Sequence, residues 1–131
     1  MKILIADDEM IMLKIIELRL KKDGHEVIVT SNGQEALEQI KLQDPDMIIA
    51  DIMMPFTSGL EIVSVVKQSG LHRKVPIIIL SSMGQENVVL EAFNLGADDY
   101  ITKPFSPNEL SMRVKRLASA TNSLTKTDEK K

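Results

Sequence analysis

The sequence contains no cysteine, which excludes a disulfide framework, a thiolate nucleophile and a zinc–thiolate site. A reducing compartment is compatible with this, and the cytoplasm is the expected location. Long apolar runs are also missing: the start, MKILIADDEM, reaches an acidic cluster too early for a signal peptide or a membrane span, and no later run is long enough. Positive charge is not in excess, because the net charge is -3, which argues against a surface that coats nucleic acid.

What is present suits one folded domain. The 131 residues are 44% hydrophobic and 27% charged, a balance typical of a globular protein and too short for two ordinary domains. Five short apolar runs begin at Ile3, Val27, Met47, Ile77 and Tyr100. None alternates with polar residues at period two, so we expect strands that are buried on both faces.

The segments between these runs carry apolar residues at helical spacing, and local signals mark their ends. The sequence SPNE from Ser106 predicts an N-cap and a capping box that open the last helix. Gly24, Gly70 and Gly96 each follow a helical stretch, where a left-handed C-cap is expected. Strand and helix therefore alternate five times, which predicts an α/β fold with a five-stranded parallel sheet and helices on both faces.

The helical pattern fades near the end of the chain. From residue 119 the sequence SATNSLTKTDEKK has one leucine among small, polar and charged residues, too little apolar surface to offset the entropy of ordering. The expected organisation is a domain over residues 1–118 and a polar tail or start of a linker over residues 119–131, which we predict to be disordered.

Polar residues follow four of the five apolar runs at the point where each strand should end. They are Asp7 and Asp8 after the first run, Asp51 after the third, Ser81 and Ser82 after the fourth, and Thr102 and Lys103 after the fifth. Because the carboxyl ends of parallel strands share one edge of a sheet, we expect these groups to meet there.

Their chemistry predicts a magnesium site that receives a phosphoryl group. Three carboxylates without histidine or cysteine suit a hard cation, and Mg²⁺ is usually held by one or two carboxylates and a phosphate. A lysine ammonium and a serine hydroxyl would then bind phosphoryl oxygens. Asp51 stands between the acid pair and Ser81, which makes it the candidate nucleophile, with Asp7 and Asp8 as metal ligands.

Four segments together resemble the receiver domain of bacterial response regulators, the phosphoacceptor part of two-component signalling. They are LIADDE, DIMMPFTSG, IIILSS and GADDYITKPF, in the order and spacing of that family, and the match covers residues 1 to about 118. The resemblance implies a doubly wound, flavodoxin-like sheet with strand order 2-1-3-4-5. It also implies a signalling switch rather than an enzyme with a separate substrate, although such domains assist their own phosphotransfer and autodephosphorylation.

Position by position, the resemblance implies roles for the strand-end residues. Asp51 would accept phosphate from the phosphohistidine of a sensor histidine kinase or phosphotransfer protein. Asp8, Asp51 and the backbone carbonyl of Met53 would bind Mg²⁺, and Asp7 would contribute through water. Lys103 would contact the phosphoryl group.

The same resemblance implies a switch that links this edge to an output surface. Ser81 and Tyr100 match the switch pair, in which the hydroxyl moves to the phosphoryl group and the ring turns inward. The peptide bond before Pro104 is expected to be cis. One departure is Phe56, where glycine is common in the family, and its role is either a partner contact or a ring folded over nearby apolar surface.

The last helix resembles receivers that control winged-helix DNA-binding domains and dimerise through the face formed by the fourth helix, fifth strand and fifth helix. The matching dimer charges are Asp98, Asp99, Arg113 and Lys115. Three other expected charges are replaced by Val89, Asn94 and Ala120. These charges therefore fit either a phosphorylation-dependent homodimer or a solvated face.

Two other functions remain as alternatives to the switch. An Mg²⁺-dependent phosphatase with an aspartyl nucleophile would need an acid two residues after Asp51, where Met53 stands, and it would need a substrate pocket. A non-catalytic adaptor would be expected to lack Asp8, Asp51, Ser81 or Lys103, and all four are present. The domain is either free-standing, with a downstream protein partner, or the N-terminal part of a longer regulator. It is not expected to bind nucleic acid directly or to enter a membrane.

Overall fold

The computed structural model describes residues 1–54, 57–72, 74–82 and 84–129, with side chains described up to residue 120. Five strands and five helices alternate along the chain. The strands are β1 Lys2–Ala6, β2 Glu26–Thr30, β3 Met47–Asp51, β4 Ile77–Ser81 and β5 Asp99–Thr102. The helices are α1 Met10–Lys22, α2 Gly33–Gln43, α3 Gly59–Gln68, α4 Glu86–Leu95 and α5 Pro107–Glu129.

All five strands pair in parallel, in the order β2-β1-β3-β4-β5. This confirms the predicted fold class and strand order. The order reverses between β1 and β3, which are neighbours in the sheet, so their carboxyl ends flank the position at which ligands bind in such sheets. Ala6 is in register with Ala50, which brings the residues that follow each of them to the same point of the edge.

The core lies in two layers, one on each face of the sheet. Leu4 and Ala6 of β1 face a layer that includes residues of α2, α3 and α4, and Ile3 and Ile5 face a layer that includes residues of α1 and α5. This split follows from the strand geometry, because successive side chains point to opposite faces. All five residues of β3 are buried, since the strand is central and covered on both sides.

The prediction of full burial is wrong for β2. In this strand Val27 and Ile28 are half-buried, Glu26 and Val29 are exposed, and only Thr30 is buried. β2 is an edge strand that pairs with β1 alone, which contributes to this exposure. Edge position is not sufficient, because β5, at the other edge, is buried over its first three residues. An apolar sequence such as VIV therefore does not distinguish an edge strand from a central one.

Side-chain caps begin three of the helices, including the one that the sequence predicts. The Ser106 hydroxyl accepts a hydrogen bond from the backbone N–H of Glu109 at 3.1 Å at the start of α5. Asn32 and Ser58 cap α2 and α3 in the same way. Such caps satisfy backbone donors that have no partner within the helix, and each contributes about 1 kcal/mol.

The predicted left-handed helix ends are correct at two of three glycines. Gly24 and Gly96 have φ of 95° and 115°. The prediction is wrong for Gly70, because α3 ends at Ser69 in extended backbone, and the Ser69 hydroxyl accepts the N–H of Leu71 at 3.2 Å. The left-handed residue that the sequence analysis missed is Asp44 at the end of α2, with φ of 50°.

The backbone of α5 extends further than the sequence analysis expected. The helix runs from Pro107 to Glu129, whereas the polar composition placed the end of the ordered domain at residue 118. No proline or glycine occurs after Pro107, so the sequence has no strong helix breaker in this segment. The boundary between domain and tail stays a prediction. None of the described helices is both long enough and apolar enough to cross a lipid bilayer.

Candidate functional site

Three carboxylates meet where β1 and β3 end. Oxygen atoms of Asp7, Asp8 and Asp51 all lie within 4.8 Å of one another. Asp7 and Asp51 are buried, with 0% and 4% of their surface exposed, whereas Asp8 is exposed. The cluster is therefore open to solvent on the Asp8 side and closed on the sheet side.

The Lys103 side chain reaches this cluster from the end of β5. Its ammonium nitrogen lies 3.0 Å from Asp51 Oδ2 and 3.1 Å from Asp7 Oδ2, and the side chain is 10% exposed. The Lys103 backbone N–H donates to the Ser81 carbonyl at 2.8 Å, which fixes the residue beside the end of β4. The peptide bond between Lys103 and Pro104 is cis.

Burial and ion pairing act in opposite directions on this lysine. Burial lowers the pKa of the Lys103 ammonium, but hydrogen bonds to Asp51, Glu9 and Asp7 outweigh that effect and raise its pKa above the ordinary value. The ammonium is therefore charged throughout the physiological range. It supplies one positive charge to a cluster that holds several negative ones.

Asp51 keeps a raised pKa in spite of this neighbour. Burial is the largest cause, the Lys103 hydrogen bond opposes it, and the nearby Asp7 charge raises the pKa further. Asp51 Oδ1 also accepts the backbone N–H of Met53 at 3.3 Å. Burial therefore outweighs the stabilisation that Lys103 gives to the charged form of Asp51.

Asp7 is held by backbone contacts on both sides. Its Oδ1 accepts the N–H of Glu9 at 2.9 Å, and its own N–H donates to the carbonyl of Thr30 at 3.2 Å. The Thr30 hydroxyl donates to the carbonyl of Ile5 at 2.7 Å. Thr30, at the end of β2, was not predicted as a site residue, yet it supports the strand that carries the acid pair.

A glycine lets the chain pass behind Asp51. A Cβ atom added at Gly59 would overlap the carbonyl oxygen of Asp51, and the Gly59 N–H donates to the carbonyl of Ile52 at 3.1 Å. The start of α3 therefore packs directly against the backbone of the candidate nucleophile, and only glycine fits there without displacement.

The donor set fits a magnesium ion. Three carboxylates supply only oxygen here, the ligand type that hard cations prefer. Met53, whose carbonyl is predicted to contribute, is 59% exposed.

Glu9 is a site residue that the sequence analysis missed. Its Oε1 lies 3.0 Å from Lys103 Nζ, although the side chain is 60% exposed. The residue stands in the motif LIADDE, directly after the acid pair, so the sequence shows that it lies near the site. The sequence does not show its partner Lys103, because a glutamate at a helix start is ordinarily expected to interact with the N-terminus of that helix.

The predicted switch residues lie on neighbouring strands. Ser81 is fully buried at the end of β4, in register with Thr102. Tyr100 is 9% exposed, in register with Ile79, and contributes to the core layer that α4 covers. The ring is therefore already inside the domain.

Three of the four predicted dimer charges pair within the chain. Asp98 lies 3.1 Å from Lys67 Nζ. Asp99 lies 2.7 Å from a guanidinium nitrogen of Arg113 and 3.4 Å from one of Arg116. The fourth charge, on Lys115, is exposed. A dimer that used these groups would have to exchange intrachain partners. Phe56 lies outside the described residues.

Comparisons with known proteins agree on one family. A family model described as the response regulator receiver domain matches residues 3–115. The alkaline phosphatase synthesis transcriptional regulatory protein of Bacillus subtilis is 39% identical over 116 residues, which is 88% of this chain and 48% of that protein. The chain spans about half the length of the curated relatives that it matches.

Solved structures show the same similarity in three dimensions. A putative response regulator from Chloroflexus aurantiacus has a TM-score of 0.85 and 36% identity, over 90% of this chain and 97% of that one. The BeF3-activated DrrB receiver domain has a TM-score of 0.82 and 32% identity, over 90% of this chain and 97% of that one.

Proposed function

The chain belongs to the response regulator receiver family, and from this premise we propose that it is a phosphorylation-dependent switch in which Asp51 accepts a phosphoryl group from a partner's phosphohistidine. The observation that carries this proposal is the position of Asp51, which lies between an acid pair and a buried lysine at the edge of the sheet. A phosphoryl acceptor requires both a nucleophile and positive charge beside it, and this edge supplies them.

In the proposed reaction an oxygen of the Asp51 carboxylate attacks phosphorus. The bond between phosphorus and the donor's imidazole nitrogen breaks, and its electron pair leaves with that nitrogen. A proton on the other ring nitrogen of the donor lets the ring leave as neutral imidazole. The product is an acyl phosphate on Asp51, which water later hydrolyses to restore the carboxylate.

Asp8, Asp51 and the Met53 carbonyl would hold magnesium, with Asp7 acting through water. When bound, the ion supplies positive charge that neutralises oxygens of the transferring group. Asp7 is already oriented for this by the Glu9 and Thr30 backbones. The exposed side of the cluster, at Asp8 and Met53, leaves room for an incoming group.

Lys103 and Ser81 would bind the phosphoryl oxygens once they arrive. The lysine ammonium is held 3.0 Å from Asp51 before the reaction, so little reorganisation is needed to contact a group on that carboxylate. Ser81 lies at the end of the adjacent strand, and its hydroxyl would donate to a second oxygen. New charge-assisted hydrogen bonds of this kind would favour one of two conformations of the domain.

We propose that the output surface is the face of α4, β5 and α5. It is connected to the site by β4 and β5, which carry Ser81 and Tyr100. The downstream partner would be a protein or an effector domain, in line with the relative named as a transcriptional regulator. A phosphorylation-dependent homodimer on this face would use Asp98, Asp99, Arg113 and Lys115, and the proposed place of action is the cytoplasm.

The test is incubation with acetyl phosphate or phosphoramidate and excess magnesium, followed by intact mass measurement. One phosphate adduct is expected, and it should be absent in Asp51→Asn and without magnesium. Asp46→Asn is the matched control, because Asp46 is an exposed aspartate just before the other end of the same strand. No adduct on the unmodified protein, or an adduct that persists in Asp51→Asn, would contradict the proposal.

A further inference from the structure

All three protons of the Lys103 ammonium have a carboxylate acceptor before any phosphoryl group is present. Its nitrogen lies 3.0 Å from Asp51 Oδ2, 3.0 Å from Glu9 Oε1 and 3.1 Å from Asp7 Oδ2. An ammonium has three protons, and each of these carboxylates accepts one of them. A new oxygen acceptor can therefore bind Lys103 only if one of the three present acceptors is displaced or shares its proton.

The three acceptors differ in how easily they can leave. In the proposed reaction Asp51 becomes an acyl phosphate, so its contact with the ammonium passes to the phosphoryl group that it carries. A further phosphoryl oxygen would have to displace Asp7 or Glu9. The Asp7 side chain is 0% exposed, so its carboxylate would stay buried without compensation if it lost the ammonium. The Glu9 side chain is 60% exposed, so its carboxylate would be hydrated as soon as it moved away. Glu9 is thus the acceptor with the smallest cost of release.

The Glu9 side chain does not cap α1, although its position suggests that role. It is the N-cap residue of α1, but in the described structure its side chain makes no cap hydrogen bond. The hydrogen bond to Asp7 Oδ1 is donated by the Glu9 backbone N–H, which any residue except proline would keep. A change of this side chain therefore removes the Lys103 contact and leaves the helix start and the Asp7 contact in place.

We propose that Glu9 is a positioning residue that holds Lys103 in the resting state and competes with the phosphoryl group for it. This inference rests on the proposed function, since it assumes that a phosphoryl group on Asp51 contacts Lys103. Glu9 keeps the lysine in place for the incoming group and also weakens its binding, because the contact with Lys103 must be given up. The side chain thereby sets how readily the domain accepts a phosphoryl group.

The test uses beryllium fluoride, a tetrahedral phosphoryl analogue, in the presence of excess magnesium. Its half-saturating concentration is measured from backbone NMR signals of β4 and β5. Two variants separate contact from charge: Glu9→Gln keeps the length and removes the charge, whereas Glu9→Asp keeps the charge and shortens the reach. An aspartate at this position also favours hydrogen bonds to the start of α1, which draws it away from Lys103.

We expect both variants to bind beryllium fluoride about two- to fivefold more tightly than the unmodified protein, the range for an exposed ion pair. Glu86→Gln is the matched control, because Glu86 is an exposed acid at the start of α4, on the same edge of the sheet. It should leave the half-saturating concentration unchanged.

Each other outcome overturns the inference. A gain in Glu9→Gln alone, or an equal gain in Glu86→Gln, would show that net charge near the site decides binding and not the contact with Lys103. No change in either Glu9 variant would show that the contact does not compete. If the unmodified protein itself fails to bind beryllium fluoride, the proposed function fails, which is a different result.

Discussion

Replacement of Lys103 by methionine is the sharpest test of how the site is held together. Methionine preserves most of the apolar stem and removes the ammonium. Without a divalent cation, the change leaves the Asp7 and Asp51 carboxylates buried at the edge of the sheet without their positive partner. We expect the domain to fold but to lose stability.

The magnitude follows from burial and distance. Removal of one partner from a buried ion pair typically costs about 3–5 kcal/mol, because an uncompensated charge remains. Here the loss is smaller, since the cluster is open to solvent at the exposed Asp8, which lets water hydrate the carboxylates in part. We therefore expect a decrease of about 2–4 kcal/mol in the free energy of unfolding.

The assay is urea denaturation in the presence of a chelator. The double variant Lys103→Met with Asp51→Asn should recover part of the loss, because it removes one of the two buried carboxylates that the first change left unpaired. Excess magnesium should narrow the gap between the unmodified protein and Lys103→Met, because a bound cation takes over part of the neutralisation. Lys41→Met, at an exposed lysine of α2, is the control and should change stability little.

A loss below about 1 kcal/mol in Lys103→Met would refute this reasoning, since it would mean that the pair is no stronger than an exposed one. The reasoning would also be refuted if Asp51→Asn restored no stability to Lys103→Met. That result would show that the lysine does not stabilise the domain by neutralising Asp51, and that its packing or its contact with Asp7 decides the stability.

Three further changes test the packing of the domain and one hydrogen bond between α5 and the end of α1. Gly59→Ala should lower the free energy of unfolding by about 2 kcal/mol or more in urea denaturation, because the new Cβ displaces the Asp51 carbonyl, and it should slow adduct formation in the mass assay. Ile49→Ala, in the central strand, should cost about 2–5 kcal/mol, and calorimetry should show a lower melting temperature. The Ser111 hydroxyl donates to Asp23 at 2.6 Å and lowers the pKa of that carboxyl, so stability from this contact is present above the unfolded pKa and lost as pH falls through the folded one. Denaturation of Ser111→Ala and the unmodified protein at several pH values should show a difference that shrinks below about pH 4.

Much of the fold follows from local patterns in the sequence. Runs such as MIIA and IIIL predict strands that are buried on both faces, and β3 and β4 are fully buried. The burial of β2 was not predictable in this way, because it depends in part on which strand lies at the edge. Gly70 shows a similar limit, since the Ser69 hydroxyl provides a turn that makes a left-handed glycine unnecessary.

The site was predictable to the extent that strand ends determine it. Asp7, Asp51 and Lys103 follow apolar runs, and parallel pairing brings such positions together whatever the side-chain details. Glu9 and Thr30 were missed because their contribution depends on contacts across the chain. A glutamate at a helix start has two plausible partners, and the sequence alone does not choose between the helix and Lys103.

The burial of Tyr100 has a practical consequence for spectroscopy. The chain has one tyrosine and no tryptophan, so intrinsic fluorescence excited near the tyrosine absorption band comes from a single ring of known position. That ring is 9% exposed on β5, which shields it from a neutral quencher such as acrylamide. Quenching of the unlabelled protein therefore reports directly on whether this ring leaves the interior, and no engineered probe is needed to observe it.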